Sequence, residues 1–384
     1  MTNGAGSGFS ISEWEYQTRV RMIRDAVHEL GYGGLLAVSG YGERDGNVCY
    51  LCGHKNAFPY SARTELVSGL GYSAYLVPSE EETTLISPLG YQADAVVGVG
   101  KTRSGTNFVP DMVNSIKASS LQNSKLALAG SDIIPAIYLD EIRRALPQLS
   151  LEFRDDILAA KRMIKSENEI RLIREASRIA DKAIRTAVDS IKPGMTESAI
   201  GNIARKAAMD EGADYVVRDR VRSGSETGKG MRWPFSSRRK LKRGELVSID
   251  FVGWANLYGF DVMRMGSAGR PTEEQMSLVE LAGEATRAMS HALTDGGDIK
   301  TSIAQLNQFE TTGISVSAFG HAIGLDIVEG PYLLPGTGGK AQKNMVFCVE
   351  PTVRTAKQSA CIENEVIVTA GKTETITKLP LALW

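Results

Sequence analysis

The last third of this chain places ionisable side chains where an apolar strand tolerates them least. Asp250 follows Leu246, Val247 and Ile249, Glu350 ends the run 345–349 and is stopped by Pro351, and Glu363 follows Cys361 and Ile362. A carboxylate in such a run is costly unless it is paired or bound to a cation. Asp261 lies on the second strand of what reads as a hairpin, LVSIDFVGW then YGFDVMRMG, and His321 stands in Gly-His-Ala-Ile-Gly, whose glycines admit close backbone approach. Any one of the five passes for a satisfied structural residue. Together they require a fold that gathers four carboxylates and an imidazole, a set suited to two divalent cations side by side. Oxygen-rich ligation with one imidazole favours manganese, with cobalt, iron and zinc as alternatives.

Such a site needs a scaffold, and 384 residues are enough for two domains. Charge excludes some partners: 44 basic against 45 acidic residues give a formal net charge of -1, with no broad footprint for nucleic acid or an anionic membrane. A small molecule or a dipeptide is the expected partner. The opening stretch MTNGAGSGFSISEWEY has neither a cationic start nor an apolar run, so a cytoplasmic location is expected. Cys49 and Cys52 form a lone C-x-x-C in GNVCYLCGH, an apolar segment that reads as strand-like and favours plain packing.

The first part alternates helical and extended patterns. Residues 11–31 have helical spacing up to Gly31, GGLLAVSG and SAYLVPS read as buried strands, ISPLGYQADAVVGVG and KLALAGSD as further strands, and SDIIPAIYLDEIRRALPQ as a helix. The texture then changes. Ser166-Glu-Asn-Glu169 is a capping box that opens a long amphipathic helix ending at Pro193-Gly194. Thr196 caps a second helix, DYVVRDRVRSG alternates as a strand, a further helix spans roughly 272–293, and a shorter one runs through SIAQLNQFE. MVFCVEPTV and CIENEVIVTA close the chain as strands. Domains of 1–157 and 158–384 are expected.

The motifs LVSID, YGFDVMR, GHAIGLDIVEGP, FCVEPTV and IENEVIVT resemble the pita-bread fold shared by methionine aminopeptidase, aminopeptidase P, prolidase and creatinase. GNVCYLCGH is similar to a segment of the smaller domain found in creatinase, aminopeptidase P and prolidase. The resemblance implies a two-domain α/β chain: a small N-terminal α/β domain, then a pita-bread α+β domain with an antiparallel sheet. It implies that Asp250, Asp261, His321, Glu350 and Glu363 bind two divalent metals, the second aspartate and last glutamate bridging. Glu350 would relay a proton beside His321. Tyr258 and Arg264 match family positions and are counted with the substrate-binding residues; Arg264 is expected to support the site from behind its ligands, and a core tyrosine is the alternative for Tyr258. A homodimer is implied as well.

The implied function is hydrolysis of an amide-type C–N bond, with an Xaa-Pro dipeptidase or aminopeptidase as the family default. Peptidases of this family carry two further histidines that contact the substrate, and both are absent here. Val328 occupies one position, and the loop 223–237 contains no histidine but offers Arg232 as a carboxylate clamp. That departure favours a non-peptide specialist on the same scaffold, resembling ectoine hydrolase, creatinase or dimethylsulfoniopropionate lyase. A non-catalytic binding module is the third reading, and the complete ligand set argues against it. Arg218, Arg220 and Arg222 alternate along one strand and read as a solvated edge, with carboxylate binding as the alternative. Gly224-Ser-Glu-Thr-Gly-Lys-Gly lacks the spacing of a phosphate loop and reads as a flexible substrate loop. Cys348 and Cys361 each precede a glutamate ligand by two residues, so they share its strand face; packing is their expected role.

Overall fold

The computed structural model describes residues 10–56, 58, 61–64, 66–90, 100–228 and 236–383. The chain forms two compact units, Ile11–Arg162 and a second running on from Met163. The sequence reading drew its boundary five residues earlier, inside a short helix.

The first unit is a mixed α/β layer. Helices α1 (Glu13–Glu29), α2 (Gly46–Cys52), α3 (Phe108–Ala118), α4 (Ala136–Ala145) and α5 (Asp155–Met163) accompany six strands. These are β1 (Gly34–Ser39), β2 (Ser73–Pro78), β3 (Thr84–Ile86), β4 (Lys101–Arg103), β5 (Lys125–Ala129) and β6 (Ser150–Phe153), in the order β4-β3-β2-β1-β5-β6. Leu36, Val38, Leu76 and Leu126 pack under α3 and α4 as its core. The GNVCYLC segment is helical, not extended. It is buried from Val48 to Cys52, and Gly53 closes it in the left-handed conformation at φ 75°. Part of the strand expected within ISPLGYQADAVVGVG lies outside the described residues.

The second unit opens with α6 (Glu167–Asp189), held by the predicted capping box, and α7 (Glu197–Asp210), capped by Thr196. Strands β7 (Tyr215–Ser223), β8 (Leu246–Ala255) and β9 (Tyr258–Ser267) form an antiparallel meander. Next come α8 (Glu273–His291) and α9 (Ile299–Ala304), the latter continued by a 3-10 turn through Gln305–Phe309. Short strands follow: β10 (Ser315–Ser317), β11 (Gly320–Ala322), β12 (Glu329–Tyr332), β13 (Val346–Val349), β14 (Thr352–Arg354), β15 (Ser359–Cys361), β16 (Asn364–Ile367), β17 (Glu374–Thr375) and β18 (Ala382–Leu383).

They assemble as a sheet β18-β9-β8-β7, a second sheet β12-β11-β13-β16-β17 and a third, β10-β14-β15. MVFCVEPTV is therefore two strands in two sheets, with Glu350 and Pro351 at the break. One face of the first sheet packs Ile249, Phe251, Phe260 and Val262 against the apolar stripe of α6 and α7. The second and third sheets bury Phe347, Val353 and Val366 against α8. No helix among the described residues is long and apolar enough to cross a membrane.

Candidate metal centre

Strand alternation explains how the carboxylates reach a single place. On β8, Ile249 and Phe251 enter the helix-facing core, so Asp250 between them projects from the opposite face. On β9, Phe260 and Val262 do the same and turn Asp261 outward. Glu363 stands between β15 and β16, and its backbone N–H donates to the Met263 carbonyl of β9 at 3.0 Å. That link joins the two halves. One ligand atom each from Asp250, Asp261 and Glu363 lie within 4.8 Å of one another.

His321, on β11, completes the group. Its Nε2 is 3.8 Å from Asp261 Oδ2 and 3.8 Å from Glu350 Oε1. Its Nδ1 lies 3.0 Å from the Ala322 carbonyl, an arrangement that assigns the proton to Nδ1 and leaves the Nε2 lone pair facing the carboxylates. Burial lowers its pKa and favours that neutral form. The flanking glycines serve close approach: a Cβ on Gly320 would meet the Cys348 carbonyl at 2.5 Å, and one on Gly324 the Glu329 carboxylate at 2.8 Å.

The donor set fits divalent cations. Glu363 is 1 % exposed, and its Oε1 has no hydrogen-bond partner. Burial and then the neighbouring Asp250 push Asp261 up to about 8, and burial and then the Asp261 charge raise Glu350 and Glu363 well above the usual carboxylate range. Buried anions crowded around an unpartnered oxygen need a counter-charge. Arg220 supplies one, donating to Asp250 at 2.6 Å from the neighbouring strand.

A pH dependence follows. The folded chain holds the Asp261 proton up to about pH 8, whereas the unfolded chain releases it near pH 4, so ionisation removes stability as pH rises through that window. Chelated protein is expected to melt progressively lower from pH 5 to pH 8, and protein supplied with manganese to stay nearly level. Parallel curves in a calorimetric pH series would count against cation binding here.

A cavity of about 450 Å³ opens on this group, lined by Asp250, Asp261, His321 and Glu350. Val328 also lines it, 43 % exposed. Its loop is held by the Trp254 indole donating to the Leu325 carbonyl at 2.9 Å and by a buried Lys165–Glu329 ion pair at 3.1 Å. Neither Arg264 nor Tyr258 is among the cavity-lining residues. Arg264 is fully buried and donates to the carbonyls of Met263, Glu363 and Pro380 and to Asn364 Oδ1, so it holds the Glu363 backbone from behind. Tyr258 is 1 % exposed and donates to Glu169, the capping residue of α6, at 3.1 Å. Arg232 lies outside the described residues, as does part of the loop around it.

Arg218, Arg220 and Arg222 were read as a solvated edge. Strand β7 is indeed at the sheet edge, yet all three arginines line the cavity, because the register sets Arg220 opposite Asp250 and Arg222 opposite Ser248. Sequence reasoning missed Arg354, which also lines it; its alternation with Thr352, two residues beyond Glu350, was the available signal. Glu365 was missed too. It is fully buried, accepts from the Asp261 backbone N–H at 3.1 Å, and is pushed up to about 8 by burial. Cys348 Sγ stands within 4.8 Å of ligand atoms of His321 and Glu363, while Cys361 lines the cavity beside Glu350. All four cysteines are free and buried.

Comparison with known proteins agrees with this architecture. A 337-residue match at 24 % identity to the Xaa-Pro dipeptidase of Pyrococcus horikoshii covers 86 % of this chain and 90 % of that protein. The probable dipeptidase PepE of Mycobacterium bovis is 27 % identical over 372 residues, 95 % of each chain. Among solved structures, the X-Pro aminopeptidase of Thermotoga maritima superposes with a TM-score of 0.81 at 23 % identity, covering 95 % of this chain and 99 % of that one, which establishes the two-domain pita-bread fold. The family model for metallopeptidase family M24 matches residues 171–370, more than half of the sequence and the stretch that carries all five candidate ligands. The chain belongs to metallopeptidase family M24 and is a metal-dependent hydrolase.

Proposed function

We propose that this chain uses two divalent cations to hydrolyse an amide-type C–N bond in a small amino-acid-like substrate, with an Xaa-Pro dipeptide as the default. One observation carries the reading: Asp250, Asp261 and Glu363 meet within 4.8 Å, and His321 stands 3.8 Å from both Asp261 and Glu350. Four carboxylates match the charge of two divalent cations, and the oxygen-rich set favours manganese over cobalt, iron or zinc. Bound there, the cations would act as Lewis acids that polarise the scissile carbonyl and lower the pKa of water. Glu350, on the cavity wall, is the residue that takes and relays a proton at its Oε1. His321 keeps its Nδ1 proton on the Ala322 carbonyl, so Nε2 stays available as a ligand. The dipeptide default comes from the relatives, two of which are described as an Xaa-Pro dipeptidase and an X-Pro aminopeptidase.

Val328 favours a second reading, a non-peptide amide or amidine substrate. Its isopropyl group faces the cavity and can neither donate nor accept a hydrogen bond. The chain has four histidines, and of these His321 alone is among the described residues lining the cavity. A peptide group would therefore miss the imidazole contacts expected of a peptidase.

A manganese- and cobalt-supplemented screen of proline dipeptides against cyclic amidines, guanidino acids and N-acyl amino acids separates the two. Close to two metals per chain and turnover that stops with chelator are expected; full activity in metal-free protein would sink the mechanism. Turnover confined to proline dipeptides would remove the second reading. A cytoplasmic homodimer belongs to the same proposal, and sedimentation velocity reads its assembly.

A further inference from the structure

Two groups of candidate ligand atoms share Glu363 and differ in kind. Asp250, Asp261 and Glu363 offer oxygen alone; His321, Cys348 and Glu363 offer nitrogen, sulfur and oxygen, again within 4.8 Å of one another. Strand register builds the second group. On β13, Phe347 and Val349 enter the core with α8, so Cys348 between them projects from the opposite face. It pairs with His321 of β11 on one side and with Glu365 of β16 on the other, which sets its sulfur beside the imidazole. Cys348 is fully buried and is not among the described residues lining the cavity, so its sulfur faces the ligands and is closed to substrate. The thiol donates to the Asp261 carbonyl at 3.7 Å, a long contact. Glu363, 1 % exposed, keeps its Oε1 without a hydrogen-bond partner.

We infer that Cys348 is a further ligand of the centre, and that its sulfur makes the position beside His321 selective for a soft cation such as zinc while the oxygen-only position takes a hard one such as manganese. Zinc holds a thiolate at about 2.3 Å and an imidazole at about 2.0–2.1 Å, so two ligands of one ion stand at most about 4.4 Å apart. Atoms already within 4.8 Å of one another close on a cation with small side-chain shifts. Burial and then the Glu363 carboxylate keep the thiol protonated in the metal-free chain. Coordination replaces the S–H bond with a sulfur–metal bond, and the proton leaves to solvent. Softness then sorts the metals: thiolate with imidazole suits zinc, and carboxylate suits manganese. The assignment rests on the two-cation reading for the presence of metal, and on the His321–Cys348 register for the sulfur.

The test reads metal binding and needs no turnover. Full-length, metal-free protein is titrated with cobalt(II), whose near-ultraviolet spectrum gains a sulfur-to-cobalt charge-transfer band when a thiolate binds it. The wild-type protein is expected to develop that band. Cys348→Ser should bind cobalt without it, and Cys361→Ser should keep it. In competition between zinc and manganese, elemental analysis should show Cys348→Ser losing zinc selectivity by about tenfold or more. Cobalt-saturated wild-type protein without the band overturns the assignment, whatever the variants do. A band that persists in Cys348→Ser, or an unchanged zinc-to-manganese ratio, overturns it as well. Close to two cobalt ions bound with no band would leave the two-cation reading standing and reject the sulfur ligand alone; protein that binds no cobalt would reject both.

Discussion

Asp261→Asn is expected to lower metal content and hydrolysis together, with activity falling roughly 10³-fold or more. The substitution preserves shape and removes one charge from the centre of the ligand set. Asp261 is the carboxylate that faces both Asp250 and Glu363 and lies 3.8 Å from His321, so no neighbour can replace it. The same change has an opposite effect on chelated protein. Burial and repulsion from Asp250 make the Asp261 anion costly to the folded chain above its pKa of about 8, and a neutral amide escapes that cost. At pH 9, chelated Asp261→Asn should therefore melt higher than chelated wild type, whereas manganese-loaded wild type should melt higher than either. A variant that keeps its metal and its rate would remove Asp261 from the centre. One that is destabilised equally with and without chelator would make it a structural residue.

Arg264→Met should cost about 3 kcal/mol or more of folding stability. The side chain is wholly enclosed, and its removal takes the donor from the carbonyls of Glu363 and Pro380, while the Met263 carbonyl keeps the Glu363 N–H and Asn364 Oδ1 keeps the Thr377 hydroxyl. Each buried acceptor left without a donor costs about 1–3 kcal/mol, and relaxation recovers part of the sum. Burial already lowers the guanidinium to about 10, a sign of how far it is removed from water. Because Arg264 supports the backbone of Glu363, metal affinity should fall with stability. Denaturant midpoints and metal content measure both. A stable, metal-replete variant with only a raised KM would give Arg264 a substrate-contacting role in place of the supporting one.

That residue illustrates where the chain is readable and where it is not. Asp250, Glu350 and Glu363 are legible because each interrupts an apolar strand, and the reason for such an interruption is local. The start of α6 is legible for the same reason: Ser166 and Glu169 cap each other across a single turn. Arg264 and Tyr258 occupy equally suggestive positions, but their partners lie 99 and 89 residues away, beyond the reach of any local pattern. Segment 46–52 misleads differently. It is buried almost throughout, so it lacks the polar positions that distinguish a helical period from a strand. For Arg218, Arg220 and Arg222 the strand alternation is visible in sequence, while the direction of the alternating face is not; pairing with β8 decides it.

The five candidate ligands come from segments spread between residues 250 and 363, on or directly beside strands of separate sheets that meet where the Glu363 amide bonds to β9. Contacts of such long range form late, after the costly loop closures have been made. A cation held there would tie segments expected to be still apart at the folding barrier, and would then act on escape from the native state and hardly on entry into it. A metal bound there would then set the lifetime of the folded chain more than the speed of its formation. In a metal-poor environment this enzyme would fold at its usual rate and be lost sooner.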